Sequence, residues 1–185
     1  MDTRLNILKT NLQSFGALRP EAWKAIVAAI SICTLKPNEY FPHKNNCLGY
    51  VAEGILATYD MEGRSIPAIV NFTRHQQSFI TRHTNNQGIY LKTCLPTLIF
   101  YWNDDELKKL HRQFNELKQI YDALTAEYEQ RLFLRMRFLE LSVIERISKF
   151  KEKFHSILPY LKKKDIANYL HLNYSHLVKI WNTLD

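Results

Sequence analysis

The stretch "KKKDIANYLHLNYSHLVKIW", residues 162–181, decides how this chain is read. Its apolar residues fall at Ile166, Leu170, Leu172, Leu177 and Ile180, with the small Ala167 between the first two. Two short helices crossing at a steep angle need this pattern. Ile166 and Leu170 face inward from the first helix, Ala167 leaves room for the second, and Leu172 closes the corner. Asn173 is a good cap for the second helix. Leu177, Ile180 and Leu184 then form its inner face, which turns Ser175, Lys179 and Asn182 outward, with Tyr174 at the helix start. A set of hydrogen-bonding side chains near a helix N-terminus is what reading a DNA major groove requires. The plainer alternative is a helical hairpin that finishes a bundle, with Lys162, Lys163 and Lys164 as a solvated charge run. The turn carries His171 where glycine is usual; histidine enters the left-handed region more readily than most residues, at some cost.

Charge separates these readings further. The 185 residues carry a net charge of +7, and from Val143 to Asp185 eight Lys/Arg stand against four acids. The last 43 residues therefore hold +4 of the excess, beside the helical pair, which favours a polyanionic partner. At 46% hydrophobic and 12% aromatic residues, the chain has enough apolar side chains for a core, which excludes disorder. Three separated cysteines, Cys33, Cys47 and Cys94, make no CxxC pair and suggest reduced thiols rather than a disulfide framework. No apolar run approaches the ~20 residues that span a bilayer. A soluble, cytoplasmic protein without a cofactor is expected.

Working back from the quoted stretch, "SVIE" at 142–145 fits a capping box, so a helix starts after Ser142. Residues 115–141 contain no Gly or Pro, and Leu117, Ile120, Tyr121, Leu124, Tyr128, Leu132, Met136 and Leu139 recur at steps of three or four. Such a helix runs nearly 40 Å at about 1.5 Å per residue. Either it lies across the chain's own core or it forms a seam between two copies. Asn103 or Asp104 caps the helical pattern that precedes it. Between Ser31 and Trp102, short β-branched and aromatic runs ("ISICTLK", "EYFPH", "CLGYVAEG", "ILATYDM", "SIPAIVNF", "IYLKTCLPTLIFYW") alternate with turn signals at Pro37-Asn38, Asn45-Asn46, Glu62-Gly63 and Asn85 to Gly88. They suggest an antiparallel barrel or sandwich. Two helical patterns precede them, one with Leu5, Leu8, Leu12 and Phe15, the other opened by Pro20.

Helix, barrel, long helix, capped helix and helix-turn-helix, in that order, resemble the CRP/FNR family of bacterial transcription regulators over essentially the whole chain. The strongest likeness is "LSVIERISKF", a proline loop at Pro159, then "KKDIANYLHLNYSHLVKI", similar to the family's D-I-A-x-Y-L-G-I-T…L-S-R-I signature. The resemblance implies an α+β chain: a jelly-roll-like, cyclic-nucleotide-binding type of β-barrel over 1–103, a long dimerisation helix over 104–141, and a helix-turn-helix DNA-binding domain over 142–185. It implies a homodimer on double-stranded DNA, with RNA polymerase as a partner and a small molecule as effector. Tyr174, Ser175 and Lys179 would then face bases, supported by Asn173, Asn182 and Lys162 to Lys164. Lys179 stands where the family usually has Arg, and a lysine reads guanine as a point donor rather than a fork. The family's frequent Arg-Glu pair is Tyr174-Ser175 here, so its target sequence does not carry over.

Cyclic-nucleotide binders of the family carry a Gly-Glu pair for ribose and an Arg-Ser/Thr pair for phosphate. "NFTRHQQSFITRHTNNQG" lacks the Gly-Glu pair; Arg82 and Thr84 remain as candidate ligand contacts, against the plainer identity of solvated loop residues. A cyclic AMP response is therefore not expected. An iron–sulfur cluster wants about four grouped thiolates, which three scattered cysteines do not supply. A cupin-like metal enzyme built on His43, His75 and His83 is a poor fit without an H-x-H pair or a well-spaced Glu, so no catalytic residue is expected. A third reading, a dimeric sensor without DNA binding, takes its motive from the turn at His171.

Overall fold

Four connections in the middle of the chain each carry it from one sheet to the other, and the result is a sandwich. The computed structural model describes residues 3–42, 46–81 and 88–184. Helices α1 (Thr3–Phe15) and α2 (Pro20–Ala28) lead into seven strands: β1 (Ser31–Leu35), β2 (Cys47–Glu53), β3 (Ile55–Asp60), β4 (Ala68–Arg74), β5 (Gln77–Thr81), β6 (Ile89–Thr93) and β7 (Thr97–Trp102). Their neighbours are all antiparallel, in the orders β1-β7-β2-β5 and β4-β3-β6. The expected single barrel is thus two separate ladders among the described residues. Gly54 shows why the ladder parts between β2 and β3. It takes φ of 99°, and a Cβ there would meet the Pro96 carbonyl at 2.6 Å, so only glycine folds the chain back this tightly.

The β4–β5 corner is a finding that the sequence hid. "RHQQSFIT" contains no Gly, Pro, Asn or Asp to signal a turn, yet Gln76 adopts φ of 63° and its N–H reaches Val51 O at 2.7 Å. Strand β5 follows at once and pairs with β2. Among the described residues of the run "EYFPH", Tyr40 forms a bridge to Lys92.

After β7, α3 (Asp104–Gln113) is capped by Asn103, whose Oδ1 accepts from Glu106 N at 3.0 Å. Extended backbone at Phe114 separates it from α4 (Glu116–Leu139). Most of α4's apolar stripe turns inward. Leu117, Ile120, Leu124 and Tyr128 are buried in the same core as α1, α2 and the sandwich interior. Leu124 is 1% exposed, so it cannot mark a seam between copies; instead Phe133, 55% exposed, and Met136, 58% exposed, lie on the outer side of α4.

The C-terminal unit comprises α5 (Val143–Lys153), a 3₁₀ turn at His155–Tyr160, α6 (Lys163–Tyr169) and α7 (Tyr174–Trp181). Its core is shared with the sheet: Ile55, Ala57, Ile69 and Phe72 join Ile147, Phe150, Phe154, Ile166 and Leu177 in one buried cluster. Phe72 lies 5.2 Å from Tyr169 and 5.9 Å from Phe154, ring to ring. Burial on both faces of β3 explains its unbroken apolar run, "ILA", where a half-exposed strand would alternate. No helix among the described residues is long and apolar enough to cross a membrane.

Candidate nucleic-acid interface and sensor cavity

Helix α5 begins with the expected capping box: Ser142 Oγ accepts from Glu145 N at 3.4 Å, and Glu145 Oε2 accepts from Ser142 N at 3.1 Å. Hydrogen bonding to Ser142, by its side chain and then by its backbone N–H, holds the Glu145 carboxyl below the ordinary Glu range. From this anchored start α5 sends Arg146 toward α6.

Helix α6 ends with every one of its last four carbonyls accepting a hydrogen bond. His171 takes φ of 53°, the left-handed conformation that a helix stop needs. Leu172 N then donates to Ala167 O at 2.9 Å and His171 N to Asn168 O at 3.1 Å, the paired bonds of a Schellman stop. Arg135 Nε from α4 donates to Tyr169 O at 2.8 Å, and Arg146 Nη1 donates to Leu170 O at 2.8 Å. Arg146 also binds the carbonyls of Leu139 and Leu141, so one guanidinium joins the ends of α4 and α6. Cations at two helix C-termini complement both dipoles. A histidine in the glycine position therefore leaves the turn intact.

Asn173 caps α7, its Oδ1 accepting from Ser175 N at 2.9 Å. Leu177 and Trp181 form the buried side of the helix, with Ile180 partly buried. Leu184 lies beyond the helix end and is exposed, so the inner face predicted as Leu177, Ile180 and Leu184 is Leu177 and Trp181, with Ile180 beside them. The other side presents Tyr174, Ser175, His176, Lys179 and Asn182, all exposed. His176 was missed from the sequence; its place two positions after Tyr174 and one before the buried Leu177 is the signal.

The lysines divide into two kinds. The side chains of Lys162 and Lys164 are exposed and make no hydrogen bond or ion pair among the described residues. Lys163 is half-buried, its Nζ 5.3 Å from the Trp181 ring centre and 3.4 Å from Asn182 Oδ1. Lys151 covers the same indole at 4.5 Å, a pair of cation–π contacts that pins the end of α7. Asp165, in the first turn of α6, is pushed above the ordinary Asp range by burial, against the pull of Lys162, Lys92 and Lys164.

A cavity of about 350 Å³ opens between the sandwich interior and α4. Phe41, Ile80, Leu91, Tyr128 and Leu132 supply apolar wall, and Thr58 Oγ1 on the same lining is buried without a hydrogen-bond partner. Arg135 lines the cavity too and is the residue that holds Tyr169 O, so the cavity and the end of α6 share a side chain. Arg82 and Thr84 lie outside the described residues, as do His43 and His83; His75 is exposed at the β4–β5 corner. Among the described residues no three His, Cys, Asp or Glu side chains group to hold a metal ion.

No protein-family model matches the sequence, and no curated protein does. Solved structures do match the fold. FixK2 from Bradyrhizobium japonicum superposes with a TM-score of 0.70 at 15% identity, over 84% of each chain. A cyclic nucleotide-binding domain containing protein from Listeria monocytogenes gives 0.70 at 14% identity, over 98% of this chain and 90% of its own. A Eubacterium rectale protein assigned to the crp/fnr family of transcriptional regulators gives 0.69 at 14%, over 90% of this chain and 83% of its own. At these identities the likeness is one of fold, and it runs through both the sandwich and the C-terminal helices.

Proposed function

We propose that the chain is a sequence-specific DNA-binding transcriptional regulator of the CRP/FNR type, acting as a cytoplasmic homodimer without a cyclic AMP response. The observation that carries this reading is the two-sided character of α7. Leu177 and Trp181 fix one side into the core, while Tyr174, Ser175 and Lys179 stand bare on the other. A hairpin that finishes a bundle also keeps a solvated face, but donors and acceptors gathered at the N-terminal turns beside exposed lysines suit groove reading. Lys162 and Lys164 would bind phosphates on the flanks. Lys163, Asn173 and Asn182 support them, as a ring-stacked cation, a helix cap and a helix-end amide.

Homodimers would form along the outer stripe of α4, where Phe133 and Met136 are exposed on a helix otherwise packed inward. A small effector would enter the cavity beside Thr58, and Arg135 would pass its presence to α6 through Tyr169 O. The largely apolar wall suits an uncharged body better than a cyclic phosphate. We accordingly expect cyclic AMP to bind no tighter than about 100 μM, equivalent to about −5.5 kcal/mol. RNA polymerase is the partner this function implies. The test is selection of bound DNA from a random library: recovery of an inverted repeat supports the reading, and recovery of no enriched sequence refutes it.

A further inference from the structure

A second cleft, of about 550 Å³, lies on the other side of α4 and is lined from β4, β5, α4 and α5. Arg74, Arg131, Arg137 and Lys153 all border it, with Glu127 the single carboxylate. Glu127 Oε1 accepts from Arg131 Nη1 at 2.6 Å, and Ser78 O accepts from Arg131 Nη2. Arg74 Nη1 donates to Ser156 Oγ at 3.2 Å, a neutral partner. The side chains of Arg137 and Lys153 make no hydrogen bond or ion pair among the described residues. Arg131 Nε is buried and has no hydrogen-bond partner. Burial lowers the Arg131 pKa from its ordinary value and the nearby Arg74 charge adds to that fall, while Glu127 opposes both.

Three guanidinium or ammonium charges thus border this cleft without an anionic partner among the described residues. Like charges held together in such a place repel, and the arrangement is relieved by an anion. DNA phosphates are a poor occupant, because the Arg131 side chain is only 12% exposed and a duplex backbone cannot enter a recess. The cleft has the size of small-molecule sites, which run from about 300 to 1,000 Å³. Phe154 and Leu134 offer apolar wall, and Gln130 an amide.

We propose that this cleft binds a small organic polyanion, phosphorylated or polycarboxylate, whose charges are gripped by Arg74, Arg131, Arg137 and Lys153. Such a ligand would touch the sheet, α4 and α5 at once, and so bear on how the C-terminal unit is held. This site is separate from the cavity beside Thr58 and does not rest on DNA binding.

Isothermal titration of the full chain at fixed ionic strength, with inorganic pyrophosphate in one arm and citrate in another, tests the proposal. Saturable binding of either at one per chain supports it and tells phosphoryl from carboxylate chemistry. Arg137→Gln and Lys153→Gln, both changes at exposed residues, should together weaken that binding at least tenfold. Arg74→Gln should weaken it as well, while Lys24→Gln on α2 leaves it unchanged. Absence of saturable binding in both arms overturns the proposal, as does equal binding by the variants. If the double variant instead loses affinity for duplex DNA while neither anion binds, the cleft is a DNA surface and the proposal fails.

Discussion

The carboxamide of Asn168 binds the backbone beside Ile69 as a neighbouring strand would: its Oδ1 accepts from Ile69 N at 2.6 Å and its Nδ2 donates to Pro67 O at 2.8 Å. Strand β4 is the edge of its sheet, and an open edge offers unpaired donors and acceptors. One side chain from α6 thus covers part of that edge and fixes the helix-turn-helix to the sandwich. Asn168→Ala should cost about 1–3 kcal/mol, because it strands a partly buried N–H and C=O together. Urea unfolding should show the loss as a lower midpoint in one transition, since the C-terminal unit shares its core with β3 and β4. A separate early transition would show instead that the two parts unfold independently.

His171 predicts a gain. A non-glycine residue in the left-handed region costs roughly 1–2 kcal/mol, and glycine gives part of this back through its freer unfolded chain. His171→Gly should therefore stabilise the chain by about 0.5–1 kcal/mol, with an unchanged slope in urea. His171→Val should destabilise it, because a β-branched side chain fits φ of 53° worst.

These two residues show what the sequence makes legible. The helix pair, the caps of α5 at Ser142 and of α7 at Asn173, and the turn at His171 follow from local spacing, because they depend on bonds among near neighbours. Strand β5 does not, since its corner uses Gln76 in a conformation that its residue type rarely signals. The stripe on α4 is legible as a buried face and no further, for a related reason. Residues at steps of three or four mark a buried face, but the spacing is the same whether the chain's own core or a second copy does the burying. Placement of the C-terminal unit had one local trace, the unbroken apolar run of β3, whose second buried face needed a partner that only the folded chain identifies. The basic cleft draws on residues from four elements and leaves no local trace.

Assembly is tested by substituting the two kinds of α4 position separately. Phe133→Glu with Met136→Glu should yield a folded monomer, because both residues are exposed within one chain. Leu124→Glu should instead unfold the protein, at a cost of about 3 kcal/mol or more for an unpaired buried charge. Sedimentation and far-ultraviolet circular dichroism separate the cases. A monomeric wild-type chain at micromolar concentration would end the seam on α4.

DNA recognition should divide between Lys179 and Lys164. A two-fold dimer presenting Tyr174, Ser175 and Lys179 calls for half-sites about one helical turn, roughly 34 Å, apart. Lys179 is exposed on the bare side of α7, in reach of base edges once the helix enters the groove. Lys179→Ala should then cost about 1–3 kcal/mol at one base pair and relax the preference there. Lys164 flanks the motif, exposed and unpaired among the described residues, where a phosphate would be met. Lys164→Ala should weaken all sequences alike and lower the slope of log affinity against log salt by about one. Lys163→Ala should behave differently from both, because its ammonium lies over the Trp181 ring: part of its effect should appear as lost stability of α7. Fluorescence anisotropy across a salt series, with the selected site and single-base variants of it, measures all three. If Lys179→Ala and Lys164→Ala lose the same affinity on every sequence with the same salt slope, α7 binds the backbone only and reads no bases.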